Sequence, residues 1–404
     1  MRRGSPALLV GVLVAALALA GTAVLWSRNR PAPAASTPAS SDTRPPPDPA
    51  TLQQLVAGMV EAGAPAAVAL VRTGQGTWQG ASGLSDLRTR RPARASDRFR
   101  IGSVTKSFMA TVVLQLVGED RLRLDDSLQQ WLPGAVPGGE HITIRQLLNH
   151  TSGLSDYTDD LLRPLRAKPT RQAYQQMAAR RFTPQALVAM ATRHRPVFPP
   201  GTRFSYSNTN YILLGLVVER VTGDRLAGQL QQRILRPLGL ADTELPGIQG
   251  RIRGQYVHGY APPNRAWLPS DGPAGLVDVT QANPSWVWAA GAMISSAADL
   301  ARFYQALLGG QLLPPRTLTA MQTTVDASEQ YGAGAGYGLG LIRLPLACGG
   351  QVWGHGGEIV GYATLAFSSA DAARQVVLME NLAPAPGGAI RSAINQALIR
   401  GFSC

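Results

Sequence analysis

Apolar and polar positions follow two periods along this chain. An apolar stripe at helical spacing from Thr51 to Ala62, with Asp48 placed as N-cap, predicts an opening helix. Ala66 to Arg72 is then almost wholly apolar and Gly76 to Gly83 follows after a short turn, which predicts a β-hairpin. Ser103 to Val117 carries Val104, Phe108, Val112, Leu114 and Leu116 in a helical pattern and predicts an amphipathic helix. From there to about Gly336 the pattern is mostly helical with long loops, clearest at Thr183–Ala191, Tyr211–Val221 and Ala297–Leu308. Strand patterns return at Tyr337–Arg343, Gln351–Gly354, Tyr362–Phe367 and Arg374–Met379, and Gly388–Arg400 predicts a last helix. Strands at both ends with helices between them predict an α+β fold. Its antiparallel sheet is built from both chain ends and flanked by helices, with a mainly helical inserted subdomain.

The first segment reads differently. Arg2 and Arg3 precede an uncharged run to Ser27, and its core from Ala7 to Trp26 is long enough to span a bilayer as a helix. Residues 1–27 are expected to be a signal peptide or an N-terminal membrane anchor. Ala18-Leu19-Ala20 suits cleavage, whereas Arg28 and Arg30 after the run suit retention. Residues 28–50 are rich in Pro, Ser and Ala and are expected to be an extended linker. Residues 51–404 are left as one catalytic domain, placed outside the cytoplasm, membrane-anchored or secreted.

Within the 404 residues, 38 basic side chains against 25 acidic ones give a net charge of +13. Because the cations are scattered singly, with no basic stripe interleaved with aromatics, the charge suits an anionic envelope surface and no nucleic-acid partner is expected. Only two lysines occur, Lys106 and Lys168, so a motif that needs lysine seldom arises here by accident. The two cysteines, Cys348 and Cys404, are expected to pair in an oxidising compartment, which would contribute about 4 kcal/mol; two unpaired thiols are the alternative.

Three short motifs carry candidate chemistry. Ser103-Val104-Thr105-Lys106 puts a hydroxyl and an amine one helical turn apart on one face. Burial would let the amine take the serine proton, and the helix N-terminus would place N–H groups beside an attacked carbonyl. The alternative is a serine cap with an exposed lysine. Tyr206-Ser207-Asn208 offers a phenol for proton relay and an amide to hold a substrate carbonyl, or simply an aromatic beside a helix cap. His355-Gly356-Gly357, expected between strands, would let a substrate backbone lie along a strand edge, or else forms a bulge with a surface histidine. His141, His150, His194 and His258 have no ligand spacing with one another or with the cysteines. No metal or cofactor is expected.

Taken together, Ser-x-x-Lys, Tyr-x-Asn and His-x-Gly at these spacings resemble the serine β-lactamase and penicillin-binding superfamily. Further blocks agree, among them FRIGSVTKSF, LLNHTSGL (147–154), PPGTRFSYSNTNYILLG (199–215), NPSW (283–286) and YGLGL (337–341). The likeness is greatest to secreted actinomycete-type D-alanyl-D-alanine carboxypeptidases, in which a cysteine just before the third motif also pairs with one at the chain end. The resemblance implies a β-lactamase/DD-peptidase-like fold, and the chain is expected to be a monomer. It makes Ser103 the nucleophile, with Lys106 and Tyr206 sharing proton transfer, Asn208 orienting the substrate and His355 tuning the Tyr206 relay. The amides of Ser103 and Glu358 would form the oxyanion hole along the Gly357 edge, and Trp286 would line the cleft. The substrate would be a peptidoglycan stem peptide, with β-lactams as inhibitors or substrates.

Two departures bear on that substrate. Gly356 and Glu358 stand where the carboxypeptidases have hydroxyls that bind the terminal carboxylate, and Arg343, the candidate arginine for that group, is one position out of register. A β-lactamase and an esterase or D-aminopeptidase are therefore the enzyme alternatives. A non-catalytic penicillin-recognising or cell-wall-binding module is the alternative of another class.

Overall fold

The computed structural model describes residues 48–247, 250–263, 275–346 and 349–384. The N-terminal apolar run, all but the end of the linker, both cysteines and the expected final helix lie outside these residues. Among the described residues no helix is long and apolar enough to cross a membrane.

Asp48 accepts the Thr51 N–H at 3.0 Å and so caps α1 (Pro49–Glu61). Leu52, Val56 and Met59 of α1 are buried against one face of a large sheet. The strands of this sheet are β1 (Ala66–Thr73), β2 (Gly76–Asp86), β3 (Arg91–Pro92), β4 (Val325–Asp326), β5 (Gly336–Tyr337), β6 (Ile342–Pro345), β7 (Gln351–Ile359), β8 (Tyr362–Ser369) and β9 (Gln375–Glu380). They lie in the order β3-β2-β1-β9-β8-β7-β6-β5-β4, antiparallel throughout. The two chain ends meet at β1 and β9, with Ala67 opposite Glu380 and Arg72 opposite Gln375. β1 is buried on both faces, which accounts for its unbroken apolar run. The α+β arrangement expected from the sequence is present.

The expected strand Tyr337–Arg343 is two strands joined by a tight turn. Gly340 makes that turn at φ 79° and lies so close to α2 (Thr105–Gly118) that a Cβ there would sit 2.4 Å from the Ala110 Cβ. Gly340 also accepts the Ser107 hydroxyl at 2.8 Å. α2 itself is buried almost all round rather than amphipathic. Its polar positions are satisfied inside the protein: Thr105 donates to Gly102 O at 2.7 Å and Thr111 to Ser107 O at 2.8 Å. A polar stripe is solvent-facing only when no internal acceptor meets it.

The chain between β3 and β4 is mostly helical. α3 (Tyr157–Ala167) is capped by Asp156, α4 (Asn208–Thr222) ends at Gly223 with φ 71°, and α5 (Ala297–Leu308) stacks Phe303 on Phe108 of α2 at 3.7 Å. α4 begins three residues earlier than its apolar pattern, so Asn208 opens the helix. His355 lies inside β7 rather than between strands.

Candidate active site

The short strand Phe99–Arg100 pairs with Ile294–Ser295 and delivers the chain into a single 3-10 turn, Gly102–Val104, ahead of α2. Gly102 has φ 50°, and a Cβ on it would lie 2.7 Å from Glu358 N. On the facing strand a Cβ on Gly357 would lie 2.0 Å from Ile101 O and 3.0 Å from Ser103 N. Two glycines therefore let the Ser103 turn and β7 meet backbone to backbone. β6 pairs with β7 only from Gln351 to Gly354, so beyond that point the β7 edge is left to the Ser103 turn. The amides of Ser103 and Glu358 converge there, an arrangement able to hold a developing oxyanion.

Lys106 lies one helical turn on and has no solvent-accessible surface. Its Nζ donates to Ser103 Oγ at 3.0 Å, Asn208 Oδ1 at 2.8 Å and Ala290 O at 2.7 Å. Three acceptors match the three protons of an ammonium. Burial pulls the ammonium down to about 7, against an opposing pull from Asp156. Near neutral pH a large fraction of the amine then has a lone pair facing the serine hydroxyl.

Asn208 is the link to a carboxylate. Its Nδ2 donates to Asp156 Oδ2 at 2.8 Å, while Asp156 also accepts the Thr158 N–H at 3.0 Å as the cap of α3. Burial pushes the Asp156 carboxyl above its usual range, and its hydrogen bonds pull the other way. Tyr206 shares a hydrogen bond with Ser103, and its ring lies 4.8 Å from Lys106 Nζ. Burial holds its phenol well above the ordinary tyrosine range, so it stays protonated.

His355 does not reach Tyr206 by hydrogen bond. Its Nδ1 donates to its neighbour's carbonyl, Gly356 O, and its Nε2 accepts the Tyr337 hydroxyl at 2.9 Å; the Tyr206 and His355 rings are 6.4 Å apart. Burial, aided by the charge of Lys106, lowers His355 to about 3. A neutral imidazole adds no positive charge to the Tyr206 relay.

Ser103, Lys106, Tyr206 and Asn208 thus surround one point, with the Gly357 edge and the Glu358 amide beside it. Three other candidates are placed differently. Trp286, expected to line the cleft, is packed into the core at 4% exposure, and its carbonyl accepts Tyr157 Oη at 2.7 Å. Arg343 shares a sheet face with Trp353 and donates to Gly334 O at 3.2 Å, over β5. The Glu358 side chain is exposed and, by register, lies on the Ala363 and Glu380 face of the sheet. His355 and Gly357 occupy the other face, toward Ser103.

Sequence reasoning missed Asp156, the Ala290 carbonyl, Tyr337 and His150. The available signals were the helix-capping position of Asp156 and the LLNHTSGL block, to which no chemistry had been attached. A cleft of about 420 Å³ opens beside Tyr206, lined by Leu154, Ser155, Asp156, His194 and Val197 among others. Among the described residues no cluster of His, Cys, Asp and Glu is arranged to hold a metal ion.

A family model described as Beta-lactamase matches residues 52–400. The D-aminopeptidase of Brucella anthropi is 31% identical over 322 residues, which is 78% of this chain and 55% of that protein. The chain therefore spans little more than half the length of that relative. Esterase EstB of Burkholderia gladioli is 32% identical over 307 residues, covering 69% of this chain and 75% of the esterase. Among solved structures, a D-stereospecific amidohydrolase from Streptomyces sp. superposes with a TM-score of 0.78 at 39% identity, covering 88% of this chain and 99% of the other.

Proposed function

The chain belongs to the β-lactamase family of serine hydrolases, and within that family we propose that it is a D-stereospecific aminopeptidase or amidase. Ser103 Oγ would attack the carbonyl carbon of an amide while its proton passes to neutral Lys106. The amides of Ser103 and Glu358 would take the oxyanion. Collapse would break the C–N bond, with the leaving amine taking the Tyr206 proton and Lys106 restoring it. Water would then hydrolyse the Ser103 ester by the reverse sequence of proton transfers.

The observation that carries this reading concerns the substrate's far end. A carboxypeptidase needs groups that hold a terminal carboxylate. Here Gly356 has no side chain, Glu358 is an acceptor only and lies on the opposite sheet face, and Arg343 donates to Gly334 O. The likeness to an amidohydrolase and to D-aminopeptidases supports the same reading, and the expectation of a peptidoglycan carboxypeptidase gives way to it. The similarity to an esterase favours ester cleavage as a second activity of the same serine. The proposal keeps β-lactams as acylating agents and, from the N-terminal apolar run, an extracytoplasmic location.

The test is release of ammonia or amine from amides of D- and L-amino acids, run beside an acylated D-Ala-D-Ala peptide. The D-amides should be cleaved faster than the L-amides, and Ser103→Ala should abolish both. Faster cleavage of the D-Ala-D-Ala peptide than of any D-amino acid amide would return the carboxypeptidase reading.

A further inference from the structure

We propose that His150, outside the three motifs, is the positioning residue for Tyr206, an inference that rests on the Ser103-centred hydrolase reading above. His150 has no solvent-accessible surface and stands at φ 59°, a left-handed backbone that L-residues rarely adopt. It holds the Tyr206 segment on both sides. The His150 carbonyl accepts the Ser205 N–H at 2.9 Å, and its Nδ1 accepts the Ser207 N–H at 3.2 Å. Asn210 Nδ2 reaches the same Nδ1 at 3.0 Å. Between these two anchors the imidazole stacks on the Tyr206 ring, 4.2 Å between centroids and tilted by 31°.

The tautomer follows from these contacts. With Nδ1 accepting, the ring proton is on Nε2, which is buried without a hydrogen-bond partner, and the ring is packed near those of Tyr337, Tyr211 and Phe204. A residue needed only for packing would have no reason to bear an orphaned N–H and a left-handed backbone. Both features are accounted for if this position must grip the peptides flanking Tyr206 and cover one face of its ring. Tyr206 has to place its hydroxyl between Ser103 and a leaving group, and a small rotation of the phenol would break that line.

The experiment compares leaving groups. In the full-length protein, His150→Asn keeps a residue that tolerates the left-handed region and an amide oxygen that can accept, but loses the ring. His150→Phe keeps a ring and loses the acceptor. kcat/KM, which stops at acylation and leaves out the later hydrolysis of the common acyl-enzyme, is measured on one acyl group attached to p-nitrophenol, to a simple alkyl alcohol and to an amine. p-Nitrophenolate leaves without a proton; the other two need the one that Tyr206 supplies.

A misplaced Tyr206 should cost about 30-fold or more on the amide and the alkyl ester, and less than about threefold on the p-nitrophenyl ester, with thermal melting intact. An equal loss on all leaving groups, or no loss in a folded variant, overturns the proposal. If His150→Phe does not fold, His150→Asn decides alone. A wild type that cleaves esters but no amide refutes the amidase reading, and the two esters still test His150. A wild type that cleaves neither overturns both.

Discussion

Asp156 reaches Lys106 only through Asn208. The asparagine accepts a hydrogen bond from Nζ at 2.8 Å with its amide oxygen and donates one to the carboxylate at 2.8 Å with its amide nitrogen. The carboxylate therefore raises the lysine's proton affinity without quenching it in a direct ion pair, while burial lowers that affinity to about 7.

Asp156→Asn should move the acidic limb of the kcat/KM profile to lower pH. Asparagine still caps α3 and offers an amide oxygen to Asn208, so the rate at pH 8 should stay within about threefold. Without the carboxylate the Lys106 amine is neutral at lower pH, and in the proposed mechanism it is the neutral form that accepts the serine proton. A pH–rate profile of the folded variant checks the direction; an unmoved limb would mean that another group sets it.

Lys106→Arg conserves the charge and should be as inactive as Lys106→Met, losing about 10³-fold in kcat/KM. A guanidinium cannot give up a proton to become the base. Steady-state kinetics and labelling of Ser103 by a fluorophosphonate read this out. Substantial labelling of the arginine variant would assign the base to another residue.

Adjacent glycines should behave oppositely. On Gly357 a Cβ would lie 2.0 Å from Ile101 O and 3.0 Å from Ser103 N, so Gly357→Ala forces the two oxyanion amides apart and should cost about 10²–10³-fold in kcat. On Gly356 the nearest atom is the Leu365 Cδ2 at 3.2 Å, a side-chain end that can move, and Gly356→Ala should lose less than about fivefold. Kinetics on the two variants, each checked for folding, test the backbone-to-backbone approach of the Ser103 turn and β7.

Glu380 should make stability fall as pH rises. Burial, reinforced by Glu358, pushes its carboxyl from 4.5 up to about 8, so in that window the folded state holds a proton that the unfolded state has lost. The contribution is fully present below about pH 4.5 and is lost as pH rises through 8. Glu380→Gln removes the titration, so the drop in Tm between pH 5 and pH 8.5 should be smaller than in the wild type. Equal drops would place the Glu380 titration outside this range.

How much of the site was legible depended on how local each relationship is. Ser103 and Lys106 could be read because one helical turn fixes their separation, and because lysine is so scarce in this chain that its place in a motif stands out. Asn208 and Tyr206 could be read from their own tripeptide before a helix. Asp156 could not. Its partner is 52 residues away, and as a string it is an ordinary helix cap. His150 was visible as a histidine without metal-ligand spacing and as part of the LLNHTSGL block, but its role was not, because its partners Ser205, Ser207 and Asn210 follow more than 50 residues later.

Side-chain direction in the sheet was the other gap. A strand presents alternate residues to opposite faces, so whether Glu358 faces Ser103 turns on register, which pairs it with Ala363 and beyond that with Glu380. The same rule puts Ile342 opposite Gly354 and Arg343 opposite Trp353.

The sequence by itself determined the order of elements, the sheet built from both ends and the pairing of Ser103 with Lys106, because periodicity and helical spacing act over a few residues. Tertiary structure alone decided the chemical states: a lysine depressed by burial, a histidine held neutral, a carboxylate one amide away and a glutamate turned to the far face. Proton affinities and side-chain orientation are set by the groups that packing brings near, and in this chain those groups come from segments tens to hundreds of residues apart.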